Sequence, residues 1–243
     1  MDIIKCKDED EIGRRAASLV AETIHREPHC ILGLATGSTP VGMYKNLVKL
    51  YEQGTLDFSK VRSFNLDEYY PIQPEDPQSY RYFMNENLFD HINIDPANTY
   101  VPHGNSENPE MVCEAYDLMI QAAGGIDLQV LGIGNNGHIA FNEPSDHFPA
   151  GTHVVDLQES TIKANARFFD SEQDVPRQAI SMGIGSILRA KRIILLASGE
   201  AKAEAVKACI EGPITPLCPA SALQLHPDVT VFVDEAAAKL LSK

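Results

Sequence analysis

The densest group of side chains that could do chemistry lies between residues 132 and 144, in the segment GIGNNGHIAFNEP. His138 and Glu143 could form an acid–base pair there. An imidazole titrates near neutral pH, and a nearby carboxylate can fix its tautomer and raise its basicity. The alternative is a surface histidine beside an unrelated glutamate. The segment therefore predicts a proton-transfer site, with two unrelated surface residues as the alternative.

The glycines of the same segment limit which ligand it could hold. Gly132, Gly134 and Gly137 follow the spacing GxGxxG after an apolar run, as in dinucleotide-binding proteins. That fingerprint continues into a long helix, whereas Pro144 and Pro149 interrupt any helix here. Nicotinamide or flavin binding is therefore disfavoured, and we expect the glycines to let the backbone approach a sugar. The nearby histidines lack the spacing of a metal site.

Two adjacent carboxylates, Asp67 and Glu68, directly follow the apolar run 61–66. They are either solvated charges of a surface loop or include a base that points into a cleft. Acids at the carboxyl ends of strands are where α/β enzymes place such bases. The composition of the pair alone would favour solvated charges, whereas its position after a predicted strand favours a catalytic base.

A turn at residues 36–39 could bind an anion. Thr36, Gly37, Ser38 and Thr39 follow the apolar run 30–35 and precede a helical stretch. We expect Thr39 to cap that helix and Pro40 to open it, so that free N–H groups and the helix dipole face outward. The turn is either a phosphate cradle or an ordinary capped turn, and it lacks the GK[ST] ending of a Walker loop.

Two cations could complete an anion site. Arg167 lies in the segment 164–170, and Lys202 follows the apolar run 192–197. Lys202 is expected in the first turn of a helix, where the dipole disfavours a cation. Each residue is either a ligand for an anion or a solvated surface charge.

These candidates must be positioned by an alternation of short apolar runs and amphipathic stretches. The apolar runs are 30–35, 61–66, 128–133, 192–197 and 229–233, and the helical stretches are 9–26, 40–53, 78–89, 109–123 and 200–211. Short runs rich in Ile, Val and Leu suit strands that are covered on both faces. The pattern predicts a single α/β domain over 1–243. We expect a three-layer, open, mostly parallel sheet with helices on both faces. Ligands of such sheets bind beyond the carboxyl ends of the strands.

Composition excludes several classes of partner. The chain has 243 residues, with 20 Lys and Arg against 34 Asp and Glu, so its formal net charge is −14. Such a chain repels nucleic acids and anionic lipids. Its five cysteines contain no CxxC pair, and its N-terminus, MDIIKCKDEDEIG, has no apolar signal core. We expect a cytoplasmic protein that binds neither nucleic acid nor membrane.

Five motifs together resemble those of glucosamine-6-phosphate deaminases. They are LGLATGSTP (32–40), FNLDEY (64–69), GIGNNGHIAFNEP (132–144), NARFFD (165–170) and SALQLHPDVTVFVDEAA (221–237). The resemblance runs from end to end and implies a modified Rossmann-like fold. It also implies conversion of glucosamine 6-phosphate and water into fructose 6-phosphate and ammonia, without metal or organic cofactor.

The resemblance assigns roles to particular residues. It makes Asp67 the base that moves a proton from C2 to C1, and His138 the acid–base for ring opening, with Glu143 as its orienting partner. Asn136 stands where many members carry Asp, and an amide at that position can only orient His138. The resemblance places the phosphate on Gly37, Ser38, Thr39, Arg167 and Lys202. It also makes residues 157–180 a lid over the site.

Departures from the family pattern bear on regulation. Allosteric hexameric members use a basic pair just beyond the FNEP motif and a C-terminal extension. Here the pair is replaced by His153 and Val155, and the sequence given ends at Lys243. We therefore expect no activation by N-acetylglucosamine 6-phosphate, and a monomer or weak homo-oligomer.

Two other functions stay open at this stage. A 6-phosphogluconolactonase shares the expected fold and a similar glycine–histidine segment, but lacks the FNEP and LDEY motifs. A non-catalytic sugar-phosphate sensor is the second alternative. The charge of −14 and the catalytic residue types at 67, 138 and 143 argue against the sensor.

Overall fold

The structure, a computed structural model, describes residues 1–166, 169 and 171–242. Its strands are β1 (Asp2–Cys6), β2 (Ile31–Leu34), β3 (Arg62–Asn65), β4 (Asp67–Tyr70), β5 (Thr99–Tyr100), β6 (Leu128–Gly132), β7 (His153–Asp156), β8 (Gln178–Ser181), β9 (Arg192–Ala197) and β10 (Val229–Asp234). Its α-helices are α1 (Glu9–Arg26), α2 (Val41–Glu52), α3 (Tyr80–Asn87), α4 (Pro109–Ala123), α5 (Glu159–Asn165), α6 (Ile184–Leu188) and α7 (Ala203–Glu211). No helix among these residues is both long enough and apolar enough to span a bilayer.

A parallel sheet forms the centre of the molecule, with strand order β1-β10-β9-β6-β2-β3-β5. Two hydrophobic clusters cover its faces, one with side chains of α1, α2 and α3 and the other with side chains of α4, α6 and α7. In β9, Ile193 and Leu195 join one cluster, while Ile194 and Leu196 join the other. A strand buried on both faces needs this run of apolar residues. The predicted three-layer α/β fold is therefore confirmed.

The strand order brings the predicted site segments to one edge of the sheet. Strands β9, β6, β2 and β3 are consecutive neighbours and all parallel, so their carboxyl ends lie side by side. The chain leaves β2 toward β3 and β5, and leaves β6 toward β9 and β10. The boundary between β2 and β6 is thus the switch point where an open α/β sheet forms its ligand crevice.

A second sheet, antiparallel and ordered β4-β8-β7, was not predicted. Asp67 and Glu68 were expected just beyond the end of a strand, but they begin a strand of their own, β4, and pair with Ser181 and Ile180 of β8. Both carboxylates are buried, so the interpretation as solvated loop charges is wrong. Pairing with β8 covers a segment too polar to be recognised as a strand from its composition.

Two predicted helix starts also differ from the structure. Pro40, not Thr39, is the N-cap of α2, and no side chain caps this helix. The N–H of Val41 is instead directed to the carbonyl of Ser38, at 3.3 Å. Lys202 ends a 3-10 turn and is the N-cap residue of α7, so it precedes the α-helical first turn.

Candidate active site

The turn after β6 is shaped around the imidazole of His138. The N–H of Gly134 donates to the carbonyl of His138 at 2.8 Å, which closes the turn. A Cβ added at Gly134 would lie 2.2 Å from Cε1 of His138, so the ring occupies the space that any side chain at 134 would fill. Gly137 has φ +85°, a left-handed conformation that favours glycine. These two glycines therefore shape the turn and seat the His138 ring, a role the sequence interpretation did not assign to them.

His138, Glu143 and Asn136 are in direct contact. Nδ1 of His138 lies 3.4 Å from Oε2 of Glu143, a mainly electrostatic contact because the distance is long for a hydrogen bond. Asn136 donates from Nδ2 to the same carboxylate oxygen at 2.7 Å and accepts the backbone N–H of His138 at 3.2 Å. The side chain of His138 is 27% exposed and that of Glu143 only 6%. The Asn136 side chain thus holds the Glu143 carboxylate and the backbone of His138.

Hydrogen bonding keeps Glu143 ionised. Burial acts to raise the pKa of the Glu143 carboxyl, but the interaction with His138 and hydrogen bonds from Thr161 and Asn136 outweigh burial. The pKa of Glu143 therefore lies below its ordinary value. An anion beside Nδ1 favours the tautomer with its proton on Nδ1, which leaves Nε2 to exchange a proton with a ligand. The pair can therefore act as an acid–base catalyst.

Asp67 and Glu68 are neighbours with different surroundings. Burial, with the adjacent Glu68 carboxyl as a second cause, raises the pKa of Asp67 to about 8. Glu68 accepts the N–H groups of Tyr80 and Arg81 at 2.8 and 3.0 Å, and so binds the amino end of α3. Burial raises the pKa of Glu68 to about 7 despite these bonds. Both carboxyls can therefore change their charge near neutral pH, and Glu68 is in addition held by the amino end of α3.

Strand β8 ties the Asp67 segment to the His138 segment. Ser181 lies opposite Asp67, and its hydroxyl oxygen accepts the N–H of Phe141 at 3.1 Å. Asn142 donates to the carbonyl of Met182 at 2.8 Å, and the N–H of Met182 donates to the carbonyl of Leu66, also at 2.8 Å. The antiparallel sheet thereby fixes Asp67 relative to the acid–base pair.

The candidate anion ligands lie at the same edge of the sheet. Residues 36–39 follow β2, and Lys202 follows β9, on the two sides of β6. Gly37 and Ser38 are exposed, and Gly37 has φ +93° with open space where a Cβ would stand. The predicted ligand Arg167 lies outside the described residues. The structure places the other candidates in the segments that follow β2 and β9, the two neighbours of the strand that precedes the acid–base pair.

Asp234 is a further polar residue of this edge, and it had no assigned role. At the carboxyl end of β10 it accepts hydrogen bonds from Ser198 Oγ at 2.6 Å, Gly199 N at 2.9 Å and Ala237 N at 2.7 Å. It thereby anchors the loop that leads to Lys202. The sequence could have indicated Asp234, because it directly follows the apolar run 229–233, just as Asp67 follows the run 61–66. For Thr161, which contacts Glu143 from α5, the sequence offered no such indication.

Comparison with known proteins adds the family context. Residues 7–232 match the family model of glucosamine-6-phosphate isomerases and 6-phosphogluconolactonases. A glucosamine-6-phosphate deaminase of Clostridium perfringens is 60% identical over 241 residues, 99% of this chain and all of that protein.

Two solved structures resemble this chain to different degrees. A monomeric glucosamine-6-phosphate deaminase superposes with a TM-score of 0.96 at 46% identity, covering 99% of this chain and all of that one. A 6-phosphogluconolactonase from Leishmania guyanensis gives 0.76 at 18% identity, covering all of this chain and 99% of that one. The lactonase resemblance extends to the fold alone.

Proposed function

The chain belongs to the family of glucosamine-6-phosphate isomerases and 6-phosphogluconolactonases, and we propose that it acts there as a deaminase. The reaction is aldose–ketose isomerisation with deamination, in which D-glucosamine 6-phosphate and water give D-fructose 6-phosphate and ammonia. The observation that carries this function is the 60% identity to a glucosamine-6-phosphate deaminase over essentially the whole of both chains. The buried, ionisable Asp67 and the His138–Glu143 pair supply the groups that this chemistry needs.

We propose that His138 opens the sugar ring. Opening moves a proton from O1 to O5, and one imidazole can accept the first and return it to the second. Glu143 favours the neutral tautomer that presents Nε2, and Asn136 holds the Glu143 carboxylate and the backbone of His138. Asn136 has no proton to exchange near neutral pH, so the working pair is His138 and Glu143.

Asp67 is assigned the isomerisation step. Its carboxylate takes the C2 proton of the open-chain sugar, and the resulting acid returns a proton at C1. An ionisation near pH 8 alone would leave little base at neutral pH, but the substrate carries an ammonium group at C2. A cation within a few ångströms favours the carboxylate and lowers its pKa, so substrate binding itself would generate the base.

The substrate phosphate is assigned to residues 36–39 and Lys202, with Arg167 as the further ligand that the family resemblance implies. Open N–H groups of the turn and a lysine ammonium offer donors and positive charge to a dianion. A phosphate distant from the reacting carbons contributes binding energy that positions them. Loss of Lys202 is therefore expected to raise KM more than it lowers kcat.

Residues 157–180 are proposed to cover the site as a lid. Leu157, Ile162 and Val175 from this segment share a hydrophobic cluster with Tyr69 of β4 and Phe141 of the His138 segment. Such a cover would exclude water while the C2 proton is removed.

The assembly and compartment are proposed on separate grounds. We propose a monomer because the deaminase with a TM-score of 0.96 is described as monomeric. We propose the cytoplasm because all five cysteines are free and buried, as in a reducing compartment. Light scattering of the purified protein tests the first, since a stable dimer would contradict it.

An ammonia-release assay on glucosamine 6-phosphate tests the function. The wild type is expected to release ammonia and to leave 6-phosphogluconolactone unhydrolysed. Asp67→Asn keeps the shape but removes the base, and should abolish both ammonia release and exchange of the C2 proton with solvent. Asp90→Asn, an exposed site in the turn Phe89–His91, is the matched control. Lactone hydrolysis without ammonia release would instead favour the lactonase.

A further inference from the structure

The carboxylate of Glu143 is held at both oxygens, by two different parts of the chain. Oε2 faces His138 and accepts the amide of Asn136, both from the turn after β6. Oε1 accepts a hydrogen bond from the hydroxyl of Thr161, on α5 and 18 residues along the chain. Both Thr161 and Glu143 are 8% exposed, so water has little access to replace this bond.

We propose that Thr161 is a positioning residue for the acid–base pair, holding the Glu143 carboxylate in the orientation and charge state that His138 requires. This inference rests on the proposed function, because it deepens the role given to Glu143 there. Thr161 touches no reacting atom and acts through Glu143.

The geometry of Thr161 differs from that of an ordinary buried helical threonine. A threonine hydroxyl in a helix commonly donates to the carbonyl four residues earlier, as Thr23 does to Leu19 in α1 at 3.0 Å. Thr161 lies in the first turn of α5, where its backbone N–H donates to the carbonyl of Gln158 at 2.9 Å. Its hydroxyl reaches across to Glu143 instead, so the bond serves the site rather than its own helix.

The chemistry of the bond defines its effect. A hydroxyl that donates to a carboxylate favours the ionised form over the protonated one. Among the described residues, His138 is the titratable group that acts on Glu143, while Thr161 and Asn136 are neutral donors. Removing the Thr161 hydroxyl leaves Oε1 buried without this donor, so Glu143 should take up a proton at higher pH. A protonated Glu143 no longer stabilises the charged imidazole, and proton transfer by His138 should slow.

The experiment compares three variants of the full chain. Thr161→Val removes the hydroxyl and keeps the shape, Thr161→Ser keeps the hydroxyl, and Thr23→Val removes a buried hydroxyl far from the site. The Glu143 carboxyl is titrated by carbon-13 NMR, with its signal assigned by its absence in Glu143→Gln. The pH profile of kcat/KM is recorded for the same proteins.

We expect Thr161→Val to move the Glu143 titration to higher pH, whereas Thr161→Ser and Thr23→Val keep it in place. Its kcat/KM should fall about tenfold at the acid end of the profile and recover as the pH rises. An unchanged Glu143 titration in Thr161→Val, or a loss independent of pH that serine does not rescue, would overturn the inference. The NMR titration measures protonation of Glu143 and needs no turnover. If the wild type released no ammonia, the proposed function would be refuted, but the effect of Thr161 on Glu143 could still be measured.

Discussion

At the scale of single residues, the site depends on identical chemical groups placed in different surroundings. Burial acts to raise the pKa of Glu143, but the interaction with His138 and hydrogen bonds from Thr161 and Asn136 lower it below its ordinary value. Asp67 is buried beside another carboxyl, which raises its pKa to about 8. The two carboxyls therefore suit the separate tasks proposed for them, since Glu143 stays charged beside His138 and Asp67 can gain and lose a proton. Such separation of pKa values marks acid and base roles in an active site.

Glu68→Gln tests the electrostatic effect of Glu68 on its neighbour. The Glu68 carboxyl raises the pKa of Asp67, after the larger effect of burial, so neutralising it should lower that pKa. Asp67 must be ionised to act as a base. The acid limb of kcat/KM is therefore expected to move to lower pH in the variant.

The glutamine oxygen can still accept the N–H of Tyr80 in α3, but its NH2 group replaces the oxygen that accepts the N–H of Arg81. Thermal unfolding is therefore recorded beside the pH profile, to show that the variant keeps its fold. Glu86→Gln, an exposed change on the same helix, serves as the control and should leave the limb in place. A limb that stays in place or moves upward in Glu68→Gln would contradict the role given to Glu68.

Sequence alone identified the residues whose chemistry is visible in their type and place. Asp67 and His138 follow apolar runs, and the strand-end rule selects them by that position. The hydrogen bond from Thr161 to Glu143 was not predictable, because it crosses 18 residues and depends on how α5 lies over the turn. The packing of His138 against Gly134 was not predictable either, because a glycine in a sequence indicates backbone freedom and does not show which side chain fills the space beside it.

At the scale of elements, the central strands were predictable and the small antiparallel sheet was not. The buried strands β6 and β9 are short and rich in Val, Ile and Leu, with the buried Gln129 as the one polar residue of β6, so the sequence indicates both strands. Strand β4 has the sequence DEYY, and its strand form comes from pairing with β8 more than a hundred residues later. A pattern of local composition carries no information about such long-range pairing.

The turn after β6 gives a prediction about how glycine positions a catalytic ring. In Gly134→Ala the added methyl would meet the imidazole of His138, which can rotate away and let the chain keep its fold. We expect about a hundredfold loss of kcat, because a misplaced acid–base group is that costly. The thermal unfolding midpoint should change little.

A matched glycine separates this effect from a general cost of alanine. Gly42 lies in α2, and a Cβ there would make ordinary van der Waals contact with Gly13 at 3.7 Å. Gly42→Ala should retain kcat. Full activity in Gly134→Ala would show that the ring tolerates displacement and would refute the packing argument.

The loop after β9 gives a prediction about an anchor at the end of a strand. Although burial acts to raise the pKa of Asp234, hydrogen bonds from Ser198, Ala237 and Gly199 hold it below its ordinary value. Asp234→Asn replaces a charged acceptor by an amide, so we expect an unfolding free energy lower by about 1–3 kcal/mol. KM should rise because the loop carries Lys202.

The control is Asp228→Asn, an exposed change just before the same strand. Equal KM values in the two variants would contradict the anchoring role of Asp234.

At the scale of the whole molecule, an acidic protein must bind a phosphate dianion. The net charge of −14 repels the substrate over most of the surface. The candidate donors for the phosphate are concentrated at one place in the sheet. The switch point lies between β2 and β6, and the donors follow β2 and β9 on either side of the acid–base pair. The fold thus brings backbone amide groups and a lysine to one edge of the sheet as candidate donors to the phosphate.

The absence of a basic pair leads to a prediction about regulation of the whole enzyme. His153 and Val155 lie on β7, an edge strand of the antiparallel sheet, where the family resemblance places the basic pair of allosteric members. Burial lowers the pKa of His153, despite its hydrogen bond with the carbonyl of Gly151, so the imidazole is neutral at physiological pH. A neutral imidazole and a valine offer no positive charge to a phosphate.

Velocity curves for ammonia release are therefore expected to be hyperbolic in glucosamine 6-phosphate, with and without N-acetylglucosamine 6-phosphate. The acetylated sugar phosphate could still compete weakly at the active site, which would raise the apparent KM and leave the curve hyperbolic. Activation requires a ligand to bind one conformation more tightly than another. Sigmoidal curves that the acetylated sugar phosphate converts to hyperbolic ones would show such a second site, and would mean that its positive charge comes from elsewhere than β7.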